Sequence, residues 1–109
     1  MKVAIAVDGE QVSPHFGHCQ EFRVFEIEGN NIVRRYTLEN PQHVPGFLPG
    51  FLAGKAVEIV IAGGIGSRAQ DLFAERGIRL ISGVSGRPED VIMKYLQGTL
   101  DTGPNRCDH

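Results

Sequence analysis

A chain of 109 residues that is 41% hydrophobic has material for one compact domain and one core. Lys and Arg number 11 against 13 Asp and Glu, a net charge of -2, so no basic field is available to hold a phosphate backbone and generic nucleic-acid binding is not expected. The 14 glycines, about twice the usual share, point to demanding turns. The longest early apolar stretch, residues 3–7, falls far short of the ~18 residues of a membrane span, and no leader-type apolar region with a small-residue cleavage site follows it. A cytoplasmic protein without a membrane partner is the expectation. Cys19 and Cys107 lie far apart and form neither a CxxC pair nor a dense disulfide framework. In a reducing compartment that leaves metal binding, redox chemistry or inert burial for them.

Residues 2–7 read K-V-A-I-A-V and stop at Asp8-Gly9, the pattern of a buried strand entering a turn. Residues 9–20 carry Ser13-Pro14, Gly17 and two histidines with no apolar period, and read as an ordered loop. Residues 22–28 and 32–38 alternate in hydrophobicity around Gly29-Asn30-Asn31 and predict an antiparallel hairpin. The proline- and glycine-rich stretch 40–54 supports at most a short helix over 50–56. Residues 58–62 predict a buried strand entering Gly63-Gly64-Ile65-Gly66, and Ala69, Leu72 and Phe73 then fall at helical spacing up to Gly77. A further strand is expected over 78–81, and a helix opens at Pro88-Glu89-Asp90 and stops at Gly98. The order implies a three-layer α/β domain over residues 1–100 with a mixed sheet, antiparallel in the hairpin and parallel where helices join the strands. Residues 101–109 lack any period and read as a flexible tail.

Soft-ligand chemistry is concentrated in Ser13-Pro14-His15-Phe16-Gly17-His18-Cys19. Imidazole and thiolate are the donors that zinc, copper(I), iron and metal-sulfur clusters prefer, whereas magnesium and calcium ask for carboxylates and carbonyls. Gly17 allows a tight turn or a close ligand approach, and Phe16 reads as an anchor of the loop in the core. The bland alternative is a surface loop with solvated histidines and a buried cysteine. Cys107 and His109 add a second thiol and imidazole on the tail, and His43 lies among prolines as a further loop histidine. Gly64-Ile65-Gly66-Ser67-Arg68-Ala69 matches G-x-G-x-x-A between a strand and a helix. The next strand nevertheless ends at Ile81-Ser82-Gly83, without the carboxylate that a dinucleotide site places about 20 residues on. The loop can still offer helix N-terminal N–H groups, with Arg68 nearby, to an anion. A metal-dependent nuclease built on Asp8 lacks partner carboxylates at any telling spacing, and a Cys19 nucleophile paired with His15 or His18 lacks a marked orienting group. No enzyme activity is expected.

Taken in order, M-K-V-A-I-A-V-D-G-E-Q-V-S-P-H-F-G-H-C, I-V-I-A-G-G-I-G and the terminal C-D-H resemble the dinitrogenase iron-molybdenum cofactor biosynthesis family of small proteins. The resemblance implies a ribonuclease H-like fold with a mixed five-stranded sheet flanked by helices. It also implies a non-catalytic role in binding or carrying an iron- and/or molybdenum-containing metal-sulfur cluster, with cluster donor and acceptor proteins as partners. His15 matches the family histidine regarded as a cofactor contact, and Cys19 a position where many relatives also place cysteine. His18 is a further metal-ligand candidate. Gly17, Gly64 and Gly66 would bring backbone N–H groups to the cluster's sulfides, and Cys107 or His109 would close over it. The chain departs from the family at V-P-G-F-L-P-G-F-L-A-G, where relatives are more helical. A regulatory or interaction module of the same fold that holds no metal is the alternative.

Overall fold

A computed structural model describes residues 1–41 and 46–103. Strand β1 (Lys2–Asp8) lies inside the sheet, with Val3, Ala4, Ile5, Ala6 and Val7 fully buried, which accounts for its unbroken apolar run. The chain turns back through Gly9-Glu10 into β2 (Gln11–Val12), which pairs antiparallel to the end of β1 at Val7↔Val12 and Asp8↔Gln11. Strands β3 (Glu21–Glu28) and β4 (Asn31–Glu39) form the expected antiparallel hairpin, and β3 also pairs antiparallel to β1. Strands β5 (Ile59–Ile61) and β6 (Arg79–Ile81) complete a mixed sheet of order β4-β3-β1-β5-β6, with β1, β5 and β6 parallel.

The sheet therefore has six strands, not the five expected. The extra strand is β2, which falls inside the segment read as loop. Parallel pairing of β1 with β5 ends at Ile5↔Ile61, and β2 takes over the vacated edge at Val7. Two residues carry no periodic signal, so this strand exists through its partner and not through its own sequence.

Helices α1 (Phe47–Gly54) and α2 (Ser67–Glu75) cover one face of the sheet, and α3 (Pro88–Gln97) covers the other. Leu52 and Phe73 join Ala4, Ala6, Phe22, Val24 and Val60 in the first core, while Val91 and Ile92 join Val3, Ile5, Phe25 and Ile61 in the second. The alternation along β1 and β3 sends neighbouring residues to opposite layers, as a strand's period of two requires. Helix α1 runs over 47–54 and not over 50–56. Pro49 sits in its first turn, where a missing N–H costs nothing, and Ala56 closes it in a left-handed conformation at φ 65°. Helix α3 keeps Pro88 at its start and a left-handed Gly98 after its end, as expected.

Candidate functional site

The loops that follow β1, β5 and β6 leave the same end of the parallel strands, the carboxyl end, where open α/β sheets place ligands. After β2 the chain makes a 3-10 turn over Phe16–His18. Phe16 is 4% exposed and wedges between Phe73 and Phe22, with ring centroids at 5.3 and 5.6 Å. With Phe16 driven into the core, its neighbours His15 and His18 are held outward on the exposed side of the turn. Their ring centroids stand 6.5 Å apart and their planes cross at 81°. The buried Ser13 hydroxyl sets the first of them, accepting the His15 N–H at 3.2 Å and donating to the His15 carbonyl at 3.1 Å.

The glycine loop after β5 packs directly against this turn. The Gly63 N–H donates to Ser13 O at 2.8 Å, and the Phe16 N–H donates to Gly64 O at 2.9 Å. A Cβ on Gly63 would stand 2.8 Å from Pro14 Cα and 3.0 Å from Ser13 O, so only glycine lets the two backbones meet. Gly66 is the N-cap of α2; no side chain caps that helix and its first turn holds no acidic residue. The positive end of the helix dipole therefore lies uncapped at Gly66, two residues after the Gly64 that bonds the His15 turn. A Cβ at Gly17 would meet open space, and Gly17 is absent from the residues with positive φ, so neither close packing nor backbone conformation requires glycine there.

Cys19 is placed differently from the expectation of a thiolate ligand. It is fully buried in the first core, and Asn40 Nδ2 donates to its carbonyl at 2.8 Å and lies 3.7 Å from its Sγ. Burial, reinforced by the nearby Asp8 carboxylate, pushes the thiol up from 9.0 to about 12, so at neutral pH it is a protonated core group. A metal would have to extract it from the core to bind it. Asp8 is occupied as well, its Oδ1 accepting the Gln20 N–H at 2.9 Å. Among the described residues no three of His, Cys, Asp and Glu gather as a metal site. His43, Cys107 and His109 lie outside the described residues.

The arrangement thus places His15, Gly17 and His18 on one turn bonded to Gly64, with Gly66 two residues further along the glycine loop, and turns Cys19 inward. Two imidazoles fall short of the four donors of a closed structural zinc site. Sequence reasoning missed Ser13 and Asn40. A serine two residues before His15 is the local signal of a side-chain turn, whereas Asn40 reaches the loop from the end of the neighbouring strand β4, 21 residues on in sequence, and leaves no local trace.

Known proteins agree with this architecture. The family described as dinitrogenase iron-molybdenum cofactor matches residues 1–98. The uncharacterized protein MJ0580 of Methanocaldococcus jannaschii is 31% identical over 106 residues, covering 93% of this chain and 90% of that protein. The crystal structure of PH0822 has a TM-score of 0.92 to this fold, with 35% identity over 97% of each chain. The apo form of the orange protein from Desulfovibrio gigas reaches a TM-score of 0.79 at 18% identity, covering 95% of this chain and 93% of that one, a likeness of fold alone.

Proposed function

The chain belongs to the dinitrogenase iron-molybdenum cofactor family, and from that premise we propose that it binds and carries an iron- and/or molybdenum-containing metal-sulfur cluster as cargo, without catalysing a reaction. The observation that carries this reading is the pair of exposed imidazoles, His15 and His18, mounted on a turn that Phe16 fixes beside the uncapped start of α2. Imidazole nitrogens supply soft-to-borderline ligands for the metal, and the uncapped N–H groups of the first turn of α2 suit the anionic sulfides. An open site with few protein ligands releases its cargo readily, which a carrier needs when it passes a cluster from a donor to an acceptor protein. Cys19 we assign to the core, and Cys107 and His109 remain as supplementary donors.

The ribonuclease H-like description belongs to the same proposal, supported by an antiparallel hairpin beside three parallel strands with helices on both faces. No helix of the described residues is long and apolar enough to cross a membrane, and we place the carrier in the cytoplasm, where exchangeable clusters are handled reduced. The burial of Cys19 favours a second reading, a regulatory or interaction module that holds no metal. Anaerobic reconstitution with iron, molybdate and sulfide, followed by desalting, metal analysis and a visible spectrum, separates the two. The expected result is stoichiometric metal with charge-transfer absorption in the wild type and loss of most of it in the His15→Ala, His18→Ala double variant. Equal metal in both proteins, or none in either, overturns the carrier reading.

A further inference from the structure

Four backbone hydrogen bonds run in one line across the loops at the carboxyl end of the sheet. The Gly103 N–H donates to Gly83 O at 2.7 Å, Gly83 to Gly63 O at 2.9 Å, Gly63 to Ser13 O at 2.8 Å, and Ser13 to Ala6 O at 2.8 Å. Ser13 then fixes His15 through its hydroxyl. Each intermediate residue uses both its N–H and its carbonyl in the line, so displacing one residue disturbs two bonds at once. Two of the links tolerate only glycine. Gly63 faces Pro14 Cα, and Gly83, at φ +75°, would overlap the Gly103 carbonyl with any Cβ.

The far end of this line is lightly held. Thr99, Asp101, Thr102 and Gly103 are exposed, and Leu100 is the one residue of 99–103 that packs, partly buried, against the second core. Grooves of about 280 and 230 Å³ flank the segment. Leu100 lines both, with Thr102 in the first beside Arg79 and Tyr95, and Asp101 in the second beside Arg87 and Lys94. A stretch with one apolar anchor and exposed backbone bonds opens at a small fraction of the global unfolding free energy.

We infer that residues 99–103 form a strap whose docking on Gly83 is coupled, through this line of hydrogen bonds, to the turn that carries His15. Coupling of this kind is reciprocal, so a ligand seated at His15 holds the strap down and the docked strap strengthens the ligand's hold. The ligand half of the inference rests on the carrier reading; the mechanical half does not.

Amide hydrogen exchange on the full chain tests it. Gly103→Pro deletes the first donor of the line and removes none of the other three donors. Without any ligand, exchange at Gly83, Gly63 and Phe16 is expected to speed up by roughly tenfold or more, while Ile5 and Val24 in the central strands keep their wild-type rates. Unchanged rates at Gly63 overturn the coupling. Uniform acceleration that includes Ile5 also overturns it, because the strap would then be an ordinary part of the cooperative core. Gly83→Ala, which displaces the strap by overlap, is expected to give the same pattern. In a second arm, tetrathiomolybdate added to the wild type is expected to slow Gly103 exchange by roughly tenfold. Binding of that probe with no change at Gly103 overturns the ligand half, whereas failure of the wild type to bind it overturns the ligand half for a molybdenum-sulfide cargo and leaves the ligand-free comparison to decide the coupling.

Discussion

Cys19 is the residue whose chemistry changes most between an isolated loop and the folded protein. As a solvated thiol it would ionise near 9.0; inside the first core it ionises near 12, because burial and the Asp8 carboxylate both disfavour the thiolate. The folded state therefore keeps a proton that the unfolded state gives up. That contribution to stability is full below pH 9 and is lost as pH rises toward 12. We expect urea midpoints to fall between those limits more steeply in the wild type than in Cys19→Ala, and parallel pH profiles would contradict the assignment. Iodoacetamide at pH 8 is expected to spare Cys19 in the native protein, read by peptide mapping. His15 and His18 stand on the exposed side of the same turn, so one 3-10 turn separates a buried sulfur from two exposed histidines.

Among the elements, the contact between the His15 turn and the glycine loop does the positioning. It has no side-chain content at its centre: Gly63 meets Ser13 and Pro14 backbone to backbone. Gly63→Ala inserts a Cβ 2.8 Å from Pro14 Cα, with backbone on both sides and no flexible side chain to yield. The expected cost is about 1–3 kcal/mol, as for overpacking elsewhere in protein interiors. Chemical denaturation measures it. A neutral Gly63→Ala would mean that the two loops separate without penalty. The open position of Gly17, by contrast, predicts no such cost there.

Across the whole molecule, two unequal cores lie on either side of one sheet, and the site stands above the first of them. The exposed edge strand β4 is tied to α3 by Arg35, whose Nε lies 3.1 Å from Glu89 Oε2 and 3.2 Å from Oε1. Both side chains are about half exposed, so solvent and salt screen the pair. Glu89→Gln is expected to shift stability by less than about 1 kcal/mol, and a larger loss by thermal melting would show that this pair orients α3. What fixes α3 is the burial of Val91 and Ile92 against Val3, Ile5 and Ile61. The bulge where β3 and β4 slip between Glu26 and Ile27 leaves Val33 outward on that edge. With Arg34 and Arg35 beside it, the bulge blunts the edge against pairing with another chain.

Much of this was legible in the residues alone. The run at the start of the chain, the hairpin around Gly29-Asn30-Asn31, the strand, glycine loop and helix from Ile59 onward, and the proline and glycine bounds of α3 all follow from short-range torsional preferences and hydrophobic period. Those signals are carried by neighbours within a few positions. The His15 turn and the glycine loop leave one end of one sheet, because parallel strands deliver their outgoing loops to the same edge. Packing between distant segments settled the rest. Strand β2 forms because Val7 and Asp8 offer it an edge, α1 begins early because Gly46 turns left-handed ahead of it, and Cys19 is inward because Phe16 and Phe22 draw that side of the turn into the core. The line from Gly103 to Ser13 joins residues that no local pattern relates. Local sequence sets what each segment can become, whereas burial and hydrogen bonding between segments far apart in the chain choose which side chains meet the solvent and which are shut away from it.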